Sequence, residues 1–219
     1  MAEPDEAFSA QLRAATWSDH GDNEGSSYMS ALVGGRLGRE EYAVLVAQLH
    51  PVYDTLERAA AERMAADPVA GPFAFADLCR RDALEADLAF YYGPGWRERL
   101  APSEATRRYC DRLREICFDW PGGFVAHHYT RYLGDLSGGQ YIGKQVQLRL
   151  GLGADGDGVR FYRFPGKPKG YKDRYRALLD AAPWDAAERE RIIAEVKTAY
   201  RLNASVTEAL GRELKIPAA

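Results

Sequence analysis

Apolar residues recur along this chain at three- and four-residue steps, the period of helices that turn one face to a core. From Glu40 to Met64 the recurring positions are Tyr42, Leu45, Val46, Leu49, Tyr53 and Leu56. Leu78, Leu84 and Leu88 suggest a second such face, and Ile192, Val196, Ala199, Tyr200, Asn203 and Leu210 form a third. Ser205 and Thr207 interrupt the third, which predicts that this helix meets something other than pure core. Breakers stand at Gly34-Gly35, from Asp67-Pro68 to Gly71-Pro72, at Gly93-Pro94-Gly95, at Pro121-Gly122-Gly123, from Gly151 to Gly158, from Pro165 to Gly170, and at Pro183. Seven or eight segments rich in Ala, Leu, Arg and Glu lie between them, and no repeat at solenoid periods is present. The pattern predicts an all-α fold in a single domain spanning residues 1–219, with a core over about 8–211.

Composition narrows the function classes. A chain of 219 residues buries a large core without disulfides or a structural metal. With 28% charged residues and a net charge of -3, it carries no general attraction for a polyanion, so nucleic acid is not an expected partner. The start, MAEPDEAFSAQ, lacks the basic and apolar regions of a signal peptide, and no stretch approaches the ~20 apolar residues that span a bilayer. A cytoplasmic protein without a membrane anchor is expected. Cys79, Cys110 and Cys117 form no CxxC pair and read as reduced, structural thiols.

The most informative stretch is FVAHHYTRYLGDLSGGQYIGKQVQLRL, Phe124 to Leu150, an apolar-periodic helix with Gly134, Gly138, Gly139 and Gly143 inside it. Each interior glycine costs about 1 kcal/mol relative to alanine, so something should compensate for the four. Gly134 and Gly138 are one turn apart on one face, where bare backbone lets a flat partner approach, and the adjacent pair permits a kink. A planar ligand satisfies this pattern; so does tight helix–helix packing through small residues. The glycines of GLGADGDG, residues 151–158, follow a helix rather than a strand and lack a Gly-Lys-Ser/Thr ending, so this is a flexible connector and not a phosphate loop.

The run YTRYLGDLSGGQ, residues 129–140, resembles the distal-helix signature of the heme oxygenase family. The resemblance extends through DLAFYYGP at 87–94, Val52-Tyr53, and the Phe-Pro pair followed by Tyr171-Lys172 and Tyr175-Arg176, covering most of residues 8 to 210. It implies about eight helices, with heme sandwiched between a proximal helix and a kinked, glycine-rich distal helix. It also implies an enzyme that uses heme as cofactor and substrate, with O2 and electrons from a ferredoxin or flavoprotein reductase, to form biliverdin, carbon monoxide and ferrous iron. A non-catalytic heme-binding or heme-trafficking protein is the alternative.

The resemblance also assigns roles. His20 falls where the family has its proximal iron ligand, and a carboxylate at Glu24, four residues on, would orient the imidazole. Gly21 and Gly25 around the site are departures from the family's pattern. His50, His127 and His128 rank below His20. Asp135 would anchor a distal water network that delivers a proton to iron-bound peroxide, supported by Tyr53 and Arg131, with Gly134, Gly138 and Gly139 giving the heme room. Arg13, Lys172 and Arg176, with the Tyr129 hydroxyl, would hold the propionates. Phe161, Phe164, Tyr200 and Asn203 match positions in the pocket region.

Overall fold

The computed structural model describes residues 6–16 and 26–217. The helices are α1 (Phe8–Ala15), α2 (Ser27–Val33), α3 (Arg39–Glu62), α4 (Arg81–Tyr92), α5 (Glu104–Ile116), α6 (Pro121–His128), α7 (Gln140–Arg149), α8 (Pro168–Ala181) and α9 (Ala186–Glu213). Two π-helical turns, Tyr129–Leu133 and Asp135–Gly139, join α6 to α7, so these pieces run on as one long rod and the described residues form eight helical bodies. No strand occurs among the described residues. His20 and Glu24 lie outside them.

The apolar stripes read from the sequence are the surfaces that pack. Tyr42, Leu45, Val46, Leu49, Tyr53 and Leu56 on α3 are all buried, as are Leu78, Leu84 and Leu88. α3 packs on α4 and α5, while α9 crosses α6, α5 and α2; α1 rests on α8. Local chemistry starts the helices: Ser26, Ser103 and Asp185 accept the N–H of Met29, Thr106 and Glu188 as caps of α2, α5 and α9.

Two expectations shift. Pro121-Gly122-Gly123 is not a break before the helix but its first turn, with Pro121 at a position that needs no intrahelical N–H. Gly122 is required there by packing, because a Cβ would fall 2.6 Å from a Glu188 carboxylate oxygen and 2.9 Å from Ile192 on α9. The connector 151–158 is tied down rather than loose: Arg39 donates to the Leu150 carbonyl (3.0 Å), Gln147 to Gly153 (2.7 Å), Arg163 to Ala154 (2.8 Å) and Tyr91 to Gly158 (3.0 Å). Of the three free cysteines, Cys110 and Cys117 are buried and Cys79 is exposed.

Candidate active site

The π turns flank Gly134 and widen the backbone where the sequence stacks its glycines, a distortion frequent at functional sites. Gly134 itself has ordinary right-handed angles (φ -60, ψ -50), so its importance lies in the missing side chain. A Cβ there would meet nothing within 4 Å. That bare surface borders a cavity of about 820 Å³. α2 contributes Met29, Ser30 and Val33 to its wall, α3 Leu45 and Leu49, the glycine-rich segment Thr130, Arg131, Gly134, Asp135, Gly138 and Gly139, and α9 Tyr200, Asn203 and Thr207. Phe161 and Tyr162 join it from a short turn, and α7 adds Tyr141, Ile142, Gln145 and Arg149. Of the two polar residues that break the α9 stripe, Thr207 faces the cavity, whereas Ser205 does not line it and donates to the Arg201 carbonyl.

Gly139 and Gly143 answer a different demand. A Cβ on Gly139 would sit 3.3 Å from the Tyr162 ring, and one on Gly143 only 2.5 Å from the Tyr162 Cβ. Both uses of small residues weighed from the sequence thus occur on one rod: open space at Gly134, close packing at Gly143.

A buried polar cluster borders the same cavity. The Tyr53 hydroxyl donates to Asp135 Oδ2 and accepts from Arg131 Nε at 3.0 Å. Arg131 Nη1 donates to Asn203 Oδ1, Nη2 lies 3.8 Å from Asp135 Oδ1, and the guanidinium stands 4.9 Å over the Tyr53 ring. Burial pushes the Asp135 carboxyl above the usual carboxylate range, while Arg131 and the Tyr53 hydrogen bond pull it back. Burial also raises the Tyr53 phenol, which keeps its proton. A carboxyl held between these influences sits closer to the neutral-pH range in which proton transfer is efficient than a solvated one does.

A family model described as heme oxygenase matches residues 6–209. The chain belongs to the heme oxygenase family. It is 39% identical over 206 residues to heme oxygenase 1 of Rattus norvegicus, covering 93% of this chain and 71% of that protein. Heme oxygenase 2 of Synechocystis sp. is 36% identical over 201 residues, covering 90% and 80%. Among solved structures, heme oxygenase-1 of the cyanobacterium Synechocystis sp. in complex with heme superposes with a TM-score of 0.89 at 34% identity, over 95% of this chain and 94% of that one. Heme oxygenase from Leptospira interrogans gives 0.86 at 35% identity, over 93% and 99%.

Around this heme oxygenase cavity the other sequence-derived candidates fall into place or away from it. Arg13 and Arg176 line a separate hollow of about 430 Å³ with Ser9, Ala10 and Ala14. Both guanidiniums act on the Tyr129 hydroxyl, which burial otherwise raises. Lys172 Nζ lies 3.4 Å from Ser137 Oγ, inside the glycine-rich segment. The cations and Tyr129 thus gather beside that segment without lining the main cavity. Phe164 does not line it either; the Arg80 guanidinium covers its ring at 4.1 Å.

The three described histidines are engaged elsewhere. His127 Nε2 bonds Glu195 at 3.0 Å, His128 Nδ1 bonds the Tyr175 hydroxyl at 3.1 Å, and the His50 ring packs on Trp96 at 5.0 Å. None lines the cavity. Residues that sequence reasoning left out of the site include Tyr162, Ile142, Gln145 and Arg149. A signal for three of them existed: Gly134, Gly138, Ile142, Gln145 and Arg149 recur at helical steps along one face.

Proposed function

We propose that this chain binds heme in the cavity beside Gly134 and opens it, with O2 and externally supplied electrons, to biliverdin, carbon monoxide and ferrous iron. As a member of the heme oxygenase family it is an enzyme of heme degradation. The observation that carries the reading is the juxtaposition of a side-chain-free helix face at Gly134 with the buried Asp135–Tyr53–Arg131 cluster on one cavity. The donor set suits a porphyrin. Leu45, Leu49, Phe161 and Ile142 offer apolar wall, and the charged groups Arg131 and Asp135 are paired with each other.

Bound heme supplies the iron centre at which oxygen reacts and the porphyrin edge that is opened. The protein's part is binding, orientation and proton handling. Gly134 and Gly138 let backbone approach the ring face. Asp135 is the group placed to pass a proton toward the ligand, and Tyr53, donating to Oδ2, leaves Oδ1 as the freer oxygen. Arg131 balances the charge of the Asp135 carboxylate once its proton is given up and is itself held by Asn203. Arg13, Lys172 and Arg176, with Tyr129, are suited to receive the propionate carboxylates, and Tyr200 to cover the ring.

His20 is the proposed iron ligand and Glu24 the carboxylate that orients it. The engagement of His50, His127 and His128 away from the cavity supports that assignment. No described helix is long and apolar enough to cross a membrane; the proposed enzyme is cytoplasmic and served by a ferredoxin or flavoprotein reductase.

Titration with hemin tests this reading. Saturation at one equivalent, followed under reductant and air by loss of the Soret band with biliverdin appearing, is the expected result. Stable binding without turnover would make the protein a carrier, and no binding would remove heme from the account.

A further inference from the structure

The short turn Arg160–Tyr162 brings two rings to the cavity wall, and buried charged side chains grip its backbone at both ends. At its start the Asp87 carboxylate accepts the N–H of Arg160 on one oxygen and the N–H of Phe161 on the other, each at 2.9 Å. At its end Arg80 Nη1 donates to the carbonyls of Phe161 (3.3 Å) and Arg163 (2.5 Å), while Arg80 Nε is anchored on the Leu78 carbonyl at 3.0 Å. Asp87 is fully buried and Arg80 is 6% exposed. An acceptor-only group thus meets the free N–H groups and a donor-only group meets the free carbonyls. Taking two charged side chains out of water to hold three residues is costly, and a mere chain reversal does not require it.

What the turn carries gives the clamp its consequence. The Phe161 ring meets Tyr53 edge-on at 5.2 Å, so the turn backs the hydroxyl that bonds Asp135. Tyr162 fills the space that Gly139 and Gly143 leave open. Gln140 Nε2 ties the Tyr162 carbonyl (2.9 Å) to the Asp135 carbonyl (3.3 Å), joining turn and glycine-rich segment. Neither Asp87 nor Arg80 lines the cavity; the Arg80 charge also reaches Asp135, and a lysine at position 80 keeps that charge while giving up the grip on the wall.

We infer that Asp87 and Arg80 are positioning residues that set the Phe161–Tyr162 wall and thereby decide which porphyrin edge lies beside Asp135. The inference rests on the reading of the cavity as a heme site. A wall displaced by a fraction of a ring width lets the macrocycle rotate or slide, and the edge opened is read directly in the biliverdin isomer formed.

The test compares wild type with Asp87→Asn, Arg80→Lys and, as control, Asp157→Asn, which touches only the exposed pair of bonds from Arg160 Nε (3.0 Å) and Nη2 (2.6 Å). Three quantities are measured: amide exchange over residues 158–163 in the heme-free protein, hemin affinity, and the isomer composition of the biliverdin. Weakening the charge-assisted bonds to Asp87 should speed exchange of the Arg160 and Phe161 amides by about tenfold to a hundredfold in Asp87→Asn, and Arg80→Lys should speed it by releasing the Phe161 and Arg163 carbonyls and loosening the turn from its other end. Both should still bind one hemin and convert it to a broader isomer mixture, while the control matches wild type. An unchanged isomer composition in clamp variants that bind hemin would overturn the inference, as would unchanged exchange. If Asp87→Asn does not fold, Arg80→Lys, which keeps the charge but loses the fork, decides alone. Failure of wild type to bind hemin overturns the parent reading and this inference's ligand half, while the exchange data still judge the clamp.

Discussion

Asp135 is a buried acid whose hydrogen bond from Tyr53 and 3.8 Å approach to Arg131 oppose the upward push of burial on its proton affinity. Removing the carboxyl removes a positioned proton carrier, worth about 10²-fold or more in rate, whereas removing only the phenol leaves the carrier in place. Asp135→Ala is therefore expected to bind hemin and to form biliverdin at least about a hundredfold more slowly, and Tyr53→Phe roughly tenfold more slowly. Initial rates at saturating reductant check both.

A second residue-scale prediction concerns His128, buried on Tyr175, whose imidazole burial pushes down to about 3. The unfolded chain takes up this proton near the ordinary histidine value of about 6.5 and the folded one does not, so stability from this site is present above that pH and is lost as pH falls toward about 3. Replacing His128 by Gln should flatten the fall of Tm between roughly pH 6.5 and 4, measured on the heme-free protein. Parallel wild-type and variant curves would contradict it.

At the scale of elements, the rod from α6 to α7 serves two purposes that substitution separates. Gly143→Ala drives a Cβ to 2.5 Å from Tyr162 and should destabilise the heme-free protein. Overpacking outweighs the gain in helix propensity by about 1 kcal/mol or more, roughly 2–4 °C in Tm. Gly134→Ala meets no atom within 4 Å and should leave the heme-free protein as stable or up to about 1 kcal/mol more stable. It should nevertheless weaken hemin binding, because its new methyl occupies the face left bare. Thermal melts and hemin titrations of the two variants, giving opposite signs in stability, check the division; a loss of stability in both would mean that Gly134 too is a packing glycine.

At the scale of the whole molecule, much was legible because helical periodicity is a local signal. The α3 stripe from Tyr42 to Leu56 is buried as the pattern required, and the polar interruption at Thr207 faces the cavity. The glycines at 134 and 143 announced a close approach, yet nothing local in the sequence distinguishes a helix face bare for a ligand from one bare for Tyr162. That difference is set by where the turn at 160–162 returns, a contact made across many residues of chain. The clamp residues were hidden for the same reason: Asp87 reads as one more polar residue of α4 until the backbone N–H groups of residues 160 and 161 arrive at its carboxylate. Phe164 shows the opposite error, a pocket-region match that faces Arg80 instead of the cavity.

Heme opening by this fold is proposed to depend on the Asp135 cluster. The most direct measurement is biliverdin formed per bound heme, for wild type and Asp135→Ala brought to equal hemin saturation and reduced under air for the same time. Near-complete conversion by wild type and a small fraction of that yield from the variant are expected. Equal yields would show that Asp135 is not the group on which turnover depends, and heme bound but intact in wild type would contradict the enzyme reading itself.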